Sequence, residues 1–294
     1  MLDQDSPSYV TYNLSVNQLL KNAVRQFLAT RGRAAIKLDR LDDLFFSASV
    51  RDAVSRWTNP SVPPELGTFI LGNMLSTKSP SQLQQDLLAQ FICGFSSEKS
   101  RTFVEFGACD GLIFSNTYTL ERDFGWSGLL AEPALQFHRA LRQNRSCLIE
   151  TRCIWEKSGE HLTFSESSVG EYSSILGLSS NSRCNETSHK YKVETISLDD
   201  ALKCHLMPRD MSFLSVDTEG SEWEIIRTLD FGKYRFDFIA IEHNYSDNRE
   251  RVFKLLTTQG YRRVLKEVSD FDDWYVDTQI LQRMNAVFGN VKLS

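Results

Sequence analysis

The sequence predicts an α/β fold built on a doubly wound, mostly parallel sheet, and three observations predict it. Short apolar runs that end in an acid recur along the chain, and segments with helical spacing lie between them. The stretch Thr102–Gly111, TFVEFGACDG, places Phe103, Val104 and Phe106 around Glu105, then Gly107 and Gly111, before a helix-spaced segment Ser115–Phe124 closed by Gly125. That order is strand, tight turn, helix.

In such a sheet the first turn lies where a nucleotide-like ligand binds, with glycines admitting close backbone approach. The spacing argues against a dinucleotide. Cys109 stands where G-x-G-x-x-G needs its second glycine, and Asp110 would turn negative charge toward a pyrophosphate. S-adenosylmethionine (SAM) carries no phosphate but does carry a sulfonium and an ammonium, so the acids favour it over NAD. Taken alone, Gly107 and Gly111 also fit an ordinary strand-to-helix turn.

The 294 residues, 41% of them hydrophobic, suffice for one large α/β domain or for a smaller one with an appendage. A net charge of -5 argues against nucleic acid as the main partner. The six cysteines form no C-x-x-C pair, which makes a zinc ribbon or thioredoxin-type chemistry unexpected. The opening MLDQDSPSYV lacks a basic start and an apolar core, and no run reaches membrane-span length, so a cytoplasmic protein with reduced thiols is expected.

Residues 1–80 read as an N-terminal helical region and residues 81–294 as the α/β domain. Helices are expected over Ser15–Thr30 and Leu41–Trp57, with a shorter apolar segment at Leu66–Leu75; they are the expected interface of a homo-oligomer. Ser79-Pro80-Ser81-Gln82 carries an N-cap signal for a helix ending at Gly94. After the first turn, Leu129–Ala131 makes a short strand and Glu132 ends it, about where such folds place the acid that binds ribose hydroxyls. The same carboxylate could cap the next helix, Ala134–Gln143. Cys147–Trp155 alternates as a third strand, and HLTF and YKVETI read as a hairpin around a polar loop, Ser165–Ser188. Ser197 is placed to cap a helix over Leu198–Cys204. Phe213–Val216 leads to Asp217, and Phe236–Ile241 to Glu242, His243 and Asn244; a helix Asn248–Gln259 and an antiparallel pair, Tyr261–Val268 with Trp274–Val276, complete the chain. Glu105, Glu132, Asp217 and Glu242 should therefore meet along one edge of the sheet, which suits a cationic cofactor or a metal.

The blocks FVEFGACDG, SNTYTLE, GWSGLLAEP, VETISLDDAL, FLSVDTEGSEWEII and FIAIEH, in this order, resemble the FkbM-type family of SAM-dependent methyltransferases over about Ser81–Val276. The resemblance implies a class I methyltransferase (Rossmann-like) fold, a mostly parallel seven-stranded sheet with helices on both faces. It also implies O-methylation of a sugar, glycan or related natural-product hydroxyl. It would put Glu105, Gly107, Asp110 and Gly111 around the methionine part of SAM, with Asn116 and Thr117 nearby and Glu132 on the ribose. Asp217, Glu242 and His243 would line the methyl-transfer end. Cys109 departs from the smaller residues or amides common in that loop.

Such a protein must align an oxygen with the activated methyl group and remove its proton. His243 is the expected base, with Asp217 assisting. The same acids could instead hold a divalent cation such as Mg2+ through Asp217 and Glu242 with His243 or Glu219. A second function class fits the same residues: a SAM-fold binding or assembly module without catalysis. An NAD-dependent oxidoreductase comes third because of the glycine spacing.

Overall fold

The computed structural model of the protein describes residues 50–97, 101–167, 174–175 and 189–288. The chain divides into two compact units, residues 1–56 and 57–294. Of the first, residues 50–56 are described and are helical. The expected helix Ser15–Thr30, most of Leu41–Trp57 and nearly all of the polar loop Ser165–Ser188 lie outside the described residues.

The second unit opens at Trp57, well before Ser81. The Trp57 ring stacks on Trp274 at 5.9 Å between centroids, and its Nε1 donates to Gln84 Oε1 at 2.7 Å. Helix α1 (Pro64–Thr77) begins with proline at its first position, where the missing N–H costs nothing. Helix α2 (Gln85–Cys93) is shorter than its sequence signal. Ser79 and Pro80 do not open it, because the Ser79 hydroxyl donates to Asp86 at 2.6 Å and Gln84 turns left-handed before the first helical residue. Ser81 Oγ accepts the Gln85 amide instead, at 2.9 Å. The helix ends at Gly94 as expected.

Strand β1 (Thr102–Phe106) is fully buried and lies in the interior of a seven-stranded sheet. It pairs in parallel with β2 (Ser127–Ala131) on one side and with β8 (Asp210–Val216) on the other. Strand β3 (Leu148–Glu150) extends the parallel run beyond β2, and β9 (Arg235–Glu242) extends it beyond β8. Strand β11 (Asp272–Asp277) pairs antiparallel with β9, and β10 (Tyr261–Val264) pairs antiparallel with β11 at the edge. These are the two final strands the sequence predicted. Continuous apolar strands suit a sheet covered on both faces. Val104, Phe106, Leu214, Val216, Ile239 and Ile241 share one core with helices α5 (Leu198–Cys204), α6 (Glu222–Ile226) and α7 (Asn248–Thr258). On the other face α2 packs on β8 and β9. Helix α8 (Thr278–Phe288) follows β11, a helix the sequence pattern left unread.

Three further boundaries differ from the sequence pattern. Helix α3 spans Tyr118–Phe124, because Ser115, Asn116 and Thr117 are drawn onto the Glu105 carboxylate instead of entering the helix. Helix α4 covers His138–Asn144, because the Ala134 amide goes to Glu132 and the Leu135 amide to the Tyr191 hydroxyl. The expected third strand is two strands: β3 ends at Glu150, whose carboxylate binds the Arg152 amide and guanidinium, and β4 (Cys153–Trp155) leaves the main sheet. Strand β4 joins a second, four-stranded sheet with β7 (His189–Ser197), β5 (His161–Glu166) and β6 (Ser174–Ile175). Strands β5 and β7 form the expected hairpin, and Ser197 caps α5 by accepting the Asp200 amide at 3.2 Å.

Trp57→Ala removes a fully buried ring and its Gln84 bond, so urea denaturation should show a loss of about 3–5 kcal/mol. A loss under about 1 kcal/mol would detach Trp57 from the core of the domain.

Candidate functional site

A cleft of about 350 Å³ lies beyond the C-terminal ends of β1, β2, β8 and β9. This is the position the topology reserves for a ligand in an open α/β sheet. All four strand-end acids line it, namely Glu105, Glu132, Asp217 and Glu242, and Glu219 joins them. Among the described residues its lining includes no lysine, arginine or histidine.

Gly107 sits on its floor with φ +75°, and a Cβ there would stand 1.7 Å from the Asp217 carbonyl oxygen. Only glycine lets β1 and β8 approach so closely at their ends. Glu132 is 4% exposed; its Oε2 accepts the Cys109 amide at 2.8 Å and its Oε1 accepts the Ala134 amide at 2.7 Å. Each oxygen keeps a second lone-pair direction for a ligand hydroxyl. Burial pushes the carboxyl up to about 7, against those two amide bonds. Beyond Glu132 the wall turns apolar, with Cys153 and Ile154 from β4, Phe164 from β5 and Ile175 from β6.

Glu105 lines the cleft but spends most of its acceptor capacity on its own loop. Its Oε1 accepts the Asn116 amide at 2.7 Å, and its Oε2 accepts the hydroxyls of Ser115, at 2.9 Å, and Thr117. Asn116 does reach the cleft, held by Nδ2 donating to Ser215 Oγ at 3.0 Å. Thr117 is fully buried behind Glu105. Asp110 and Gly111, both expected around the methionine part of the cofactor, lie outside the lining. The Asp110 carboxylate folds back onto the amides of Leu112 and Ile113, at 2.9 and 2.8 Å, and Gly111 packs against Leu141 and Arg145.

At the other end, oxygens of Asp217, Glu219 and Glu242 lie within 4.8 Å of one another. Burial first, then the charges of Glu219 and Glu222, push Asp217 up to about 7 against a hydrogen bond with Glu242. Burial and the Asp217 charge raise Glu242 as well, so the two carboxyls titrate as a pair that shares a proton above the ordinary carboxylate range. Glu242 Oε2 is buried and has no hydrogen-bond partner among the described residues.

His243 is not part of this group. It is 5% exposed and lines a separate small cavity with Arg249, Asp273 and Tyr275. Its Nδ1 accepts the Tyr245 amide at 2.9 Å, which places the ring proton on Nε2, and Nε2 stands 3.9 Å from Asp273. Burial holds the imidazole below its usual range despite Asp273. The next two residues, Asn244 and Tyr245, are both left-handed, and this tight turn carries Asn244 to the cleft while His243 faces away. Of the two expected groupings, the structure brings together Asp217 and Glu242 with Glu219 and not with His243.

The sequence pattern did not reveal Phe114, Phe164, Ile175 or Phe271 as lining residues. Phe164 and Ile175 come from the hairpin, whose alternation signals a strand but not the surface it faces. Phe114 is a bulky residue with φ 57°, a conformation no composition rule forecasts.

The seven-stranded sheet with its cleft over the parallel strand ends is that of a class I methyltransferase. Residues 105–275 match the family model for the methyltransferase FkbM domain, and the chain belongs to that family of SAM-dependent methyltransferases. No curated protein matches the chain. Similar solved structures include a precorrin-6y C5,15-methyltransferase from Geobacter metallireducens, at 10% identity over 60% of this chain and 71% of that one, with a TM-score of 0.33. The N-terminal domain of human METTL16 in complex with SAH (S-adenosylhomocysteine) matches at 13% identity over 66% and 68%, with a TM-score of 0.35. The plantazolicin methyltransferase BpumL in complex with SAH matches at 8% over 78% and 95%, with a TM-score of 0.34.

The raised Asp217 carboxyl makes stability pH-dependent. A carboxyl whose folded pKa lies above its unfolded value favours folding below the unfolded value, near 4, and loses that advantage as pH rises through about 7. Melting curves should therefore show Asp217→Asn gaining on the wild type between about pH 4 and 7 and keeping a constant lead above that. A constant difference across the range would mean that Asp217 titrates normally.

Proposed function

We propose that the protein transfers the methyl group of SAM to a hydroxyl oxygen of a sugar, glycan or related natural-product acceptor. The observation that carries this reading is the group of three carboxylates at the ends of β8 and β9, inside the cleft and beside Gly107. When bound, SAM supplies a methyl group already activated by its sulfonium. The chain's own residues then have three tasks.

The first is to hold a cationic cofactor. A cleft lined by five carboxylates and no basic residue among those described favours a cation electrostatically. Glu132 would accept the ribose hydroxyls. The apolar wall of Cys153, Ile154, Phe164 and Ile175 offers a flat base the burial it needs. Gly107 keeps the floor clear of side chains, and Asn116 adds a polar group near the same floor. The second task is to place the acceptor oxygen, for which the exposed amides of Gln82 and Asn244 offer neutral hydrogen-bonding groups in the lining. The third is to take the acceptor's proton. The Asp217–Glu242 pair shares one proton, so one carboxylate oxygen remains basic where the proton must go. His243 takes no part in that step.

A second reading of the same acids is a divalent cation site, favoured by the closeness of Asp217, Glu219 and Glu242. Hard cations take oxygen ligands of this kind, and a cation would replace the shared proton as the charge that balances the group. Magnesium titrated calorimetrically into the SAH complex should then bind wild-type protein and not Asp217→Asn. Equal heats from both would rule out a cation at this position.

The cofactor assignment is tested by calorimetric titration with SAH. Glu132→Ala should remove charge-assisted hydrogen bonds worth about 1.5–3 kcal/mol, weakening binding about 10- to 100-fold. Unchanged affinity in a folded variant would take Glu132 out of the site. Turnover is then sought with hydroxylated acceptors, and a folded protein that binds SAH but methylates none would favour the binding-module reading.

A further inference from the structure

The loop between β1 and α3 forms one side of the cleft, where Cys109, Ile113, Phe114 and Asn116 line it. Its outer side is gripped by the C-terminal end of α4. Asn144 Nδ2 donates to the Asp110 carbonyl at 2.8 Å. The next residue, Arg145, has a side chain with no exposed surface and a guanidinium that reaches four points around the loop. Its Nη1 donates to the Gly111 carbonyl at 3.2 Å and to Ser115 Oγ at 3.1 Å, and its Nη2 donates to Thr117 Oγ1 at 2.9 Å. Its Nε donates to Glu121 Oε2 at 2.5 Å on the first turns of α3. Nη1 also lies 3.7 Å from Glu105 Oε2.

These contacts form one arrangement. Ser115 and Thr117 are the two hydroxyls that donate to Glu105, and Arg145 donates to the oxygens of both, which orients their hydrogens toward the carboxylate. The planar fork of an arginine can make these bonds at once, and a lysine ammonium cannot reach them in the same geometry. Close packing reinforces the grip, because a Cβ on Gly111 would stand 2.6 Å from the Arg145 side chain. Glu132, at the start of the β2–α4 connection, holds the Cys109 amide at the loop's other end. Both ends of the loop are thus fastened to the same β2–α4 unit.

We propose that Arg145 is a positioning residue for cofactor binding, fixing the loop of residues 109–117 in the conformation that presents Ile113, Phe114 and Asn116 to the cleft. The proposal rests on the assignment of the cleft to SAM and extends it to a residue that never touches the ligand. Arg145 lies in a basic run, residues 139–145, that in sequence looks like a surface patch; its buried side chain shows a different use.

The test combines SAH calorimetry with amide hydrogen exchange on wild type, Arg145→Lys and Asn144→Ala. Arg145→Lys keeps the charge beside Glu105 and Glu121 but loses the fork. It should bind SAH at least about tenfold more weakly and lose protection at residues 110–117, while the sheet strands keep theirs. Asn144→Ala removes a single loop bond and should show the same local exchange change with a smaller loss of affinity, about three- to fivefold. Unchanged SAH affinity in folded Arg145→Lys would overturn the proposal. So would protection lost evenly across the sheet, since that marks a general stability role. Should Arg145→Lys fail to fold, Asn144→Ala decides, and wild-type exchange and affinity in that variant would overturn the loop clamp. Wild-type protein that binds no SAH would instead overturn the assignment of the cleft, and the positioning role with it.

Discussion

The cleft depends on one buried carboxylate. Glu105 lies in the interior strand β1 at 3% exposure, where an unpaired charge would be strongly destabilising. The loop after Gly107 exists in its observed form because it satisfies that group, bringing Ser115, Asn116 and Thr117 onto the two oxygens and delaying the start of α3 until Tyr118. Arg145 closes the network from behind. Each donor is oriented by a second contact, so the arrangement behaves as a unit in which removing one member exposes the others. The shape of the cleft-facing loop follows from the solvation demand of a side chain that the loop itself largely satisfies.

A different balance holds across the cleft at β8 and β9. The cleft lining holds no basic side chain among the described residues, and burial with mutual charge raises Asp217 and Glu242, so that protons offset their charge in place of a cationic side chain. Two carboxylates that share a proton keep one basic oxygen at moderate pH without a neighbouring histidine. Natural chains retain such like-charge groups at a cost in stability, and sites where local rules are broken are commonly functional. The left-handed backbone at Cys109, Phe114, Glu219 and Asn244, four non-glycine residues lining this cleft, belongs to the same pattern.

The second sheet gives the cleft its apolar end. Strand β4 leaves the main sheet after Arg152 is drawn back onto Glu150, and the β5–β7 hairpin brings Phe164 beside Ile154 and Cys153. The hairpin meets the β2–α4 connection through Tyr191 and Glu166, which accept the Leu135 and Gln136 amides, so the carboxylate of Glu132 and the apolar side chains of the hairpin line one cleft.

Much of this was readable from the sequence. Short apolar runs marked the parallel strands, glycines at 107, 125 and 94 marked turns and helix ends, and the acids closing four of the runs pointed to a carboxylate-lined crevice. These features are local, because strand alternation and turn chemistry are decided by near neighbours in the chain. The direction in which each polar group faces was not local. Whether Glu105 meets a ligand or its own loop depends on donors 10 to 12 residues away. Arg145 is a buried clamp because α4 ends against the loop of residues 110–117. His243 turns from the cleft because Tyr245 takes its Nδ1 and β11 supplies Asp273. The sequence by itself determined the sheet, its order of acids and the class of cofactor. Only the tertiary structure decided which acids remain open to a ligand, because a buried polar group goes to whichever partner the packed elements bring within hydrogen-bond reach.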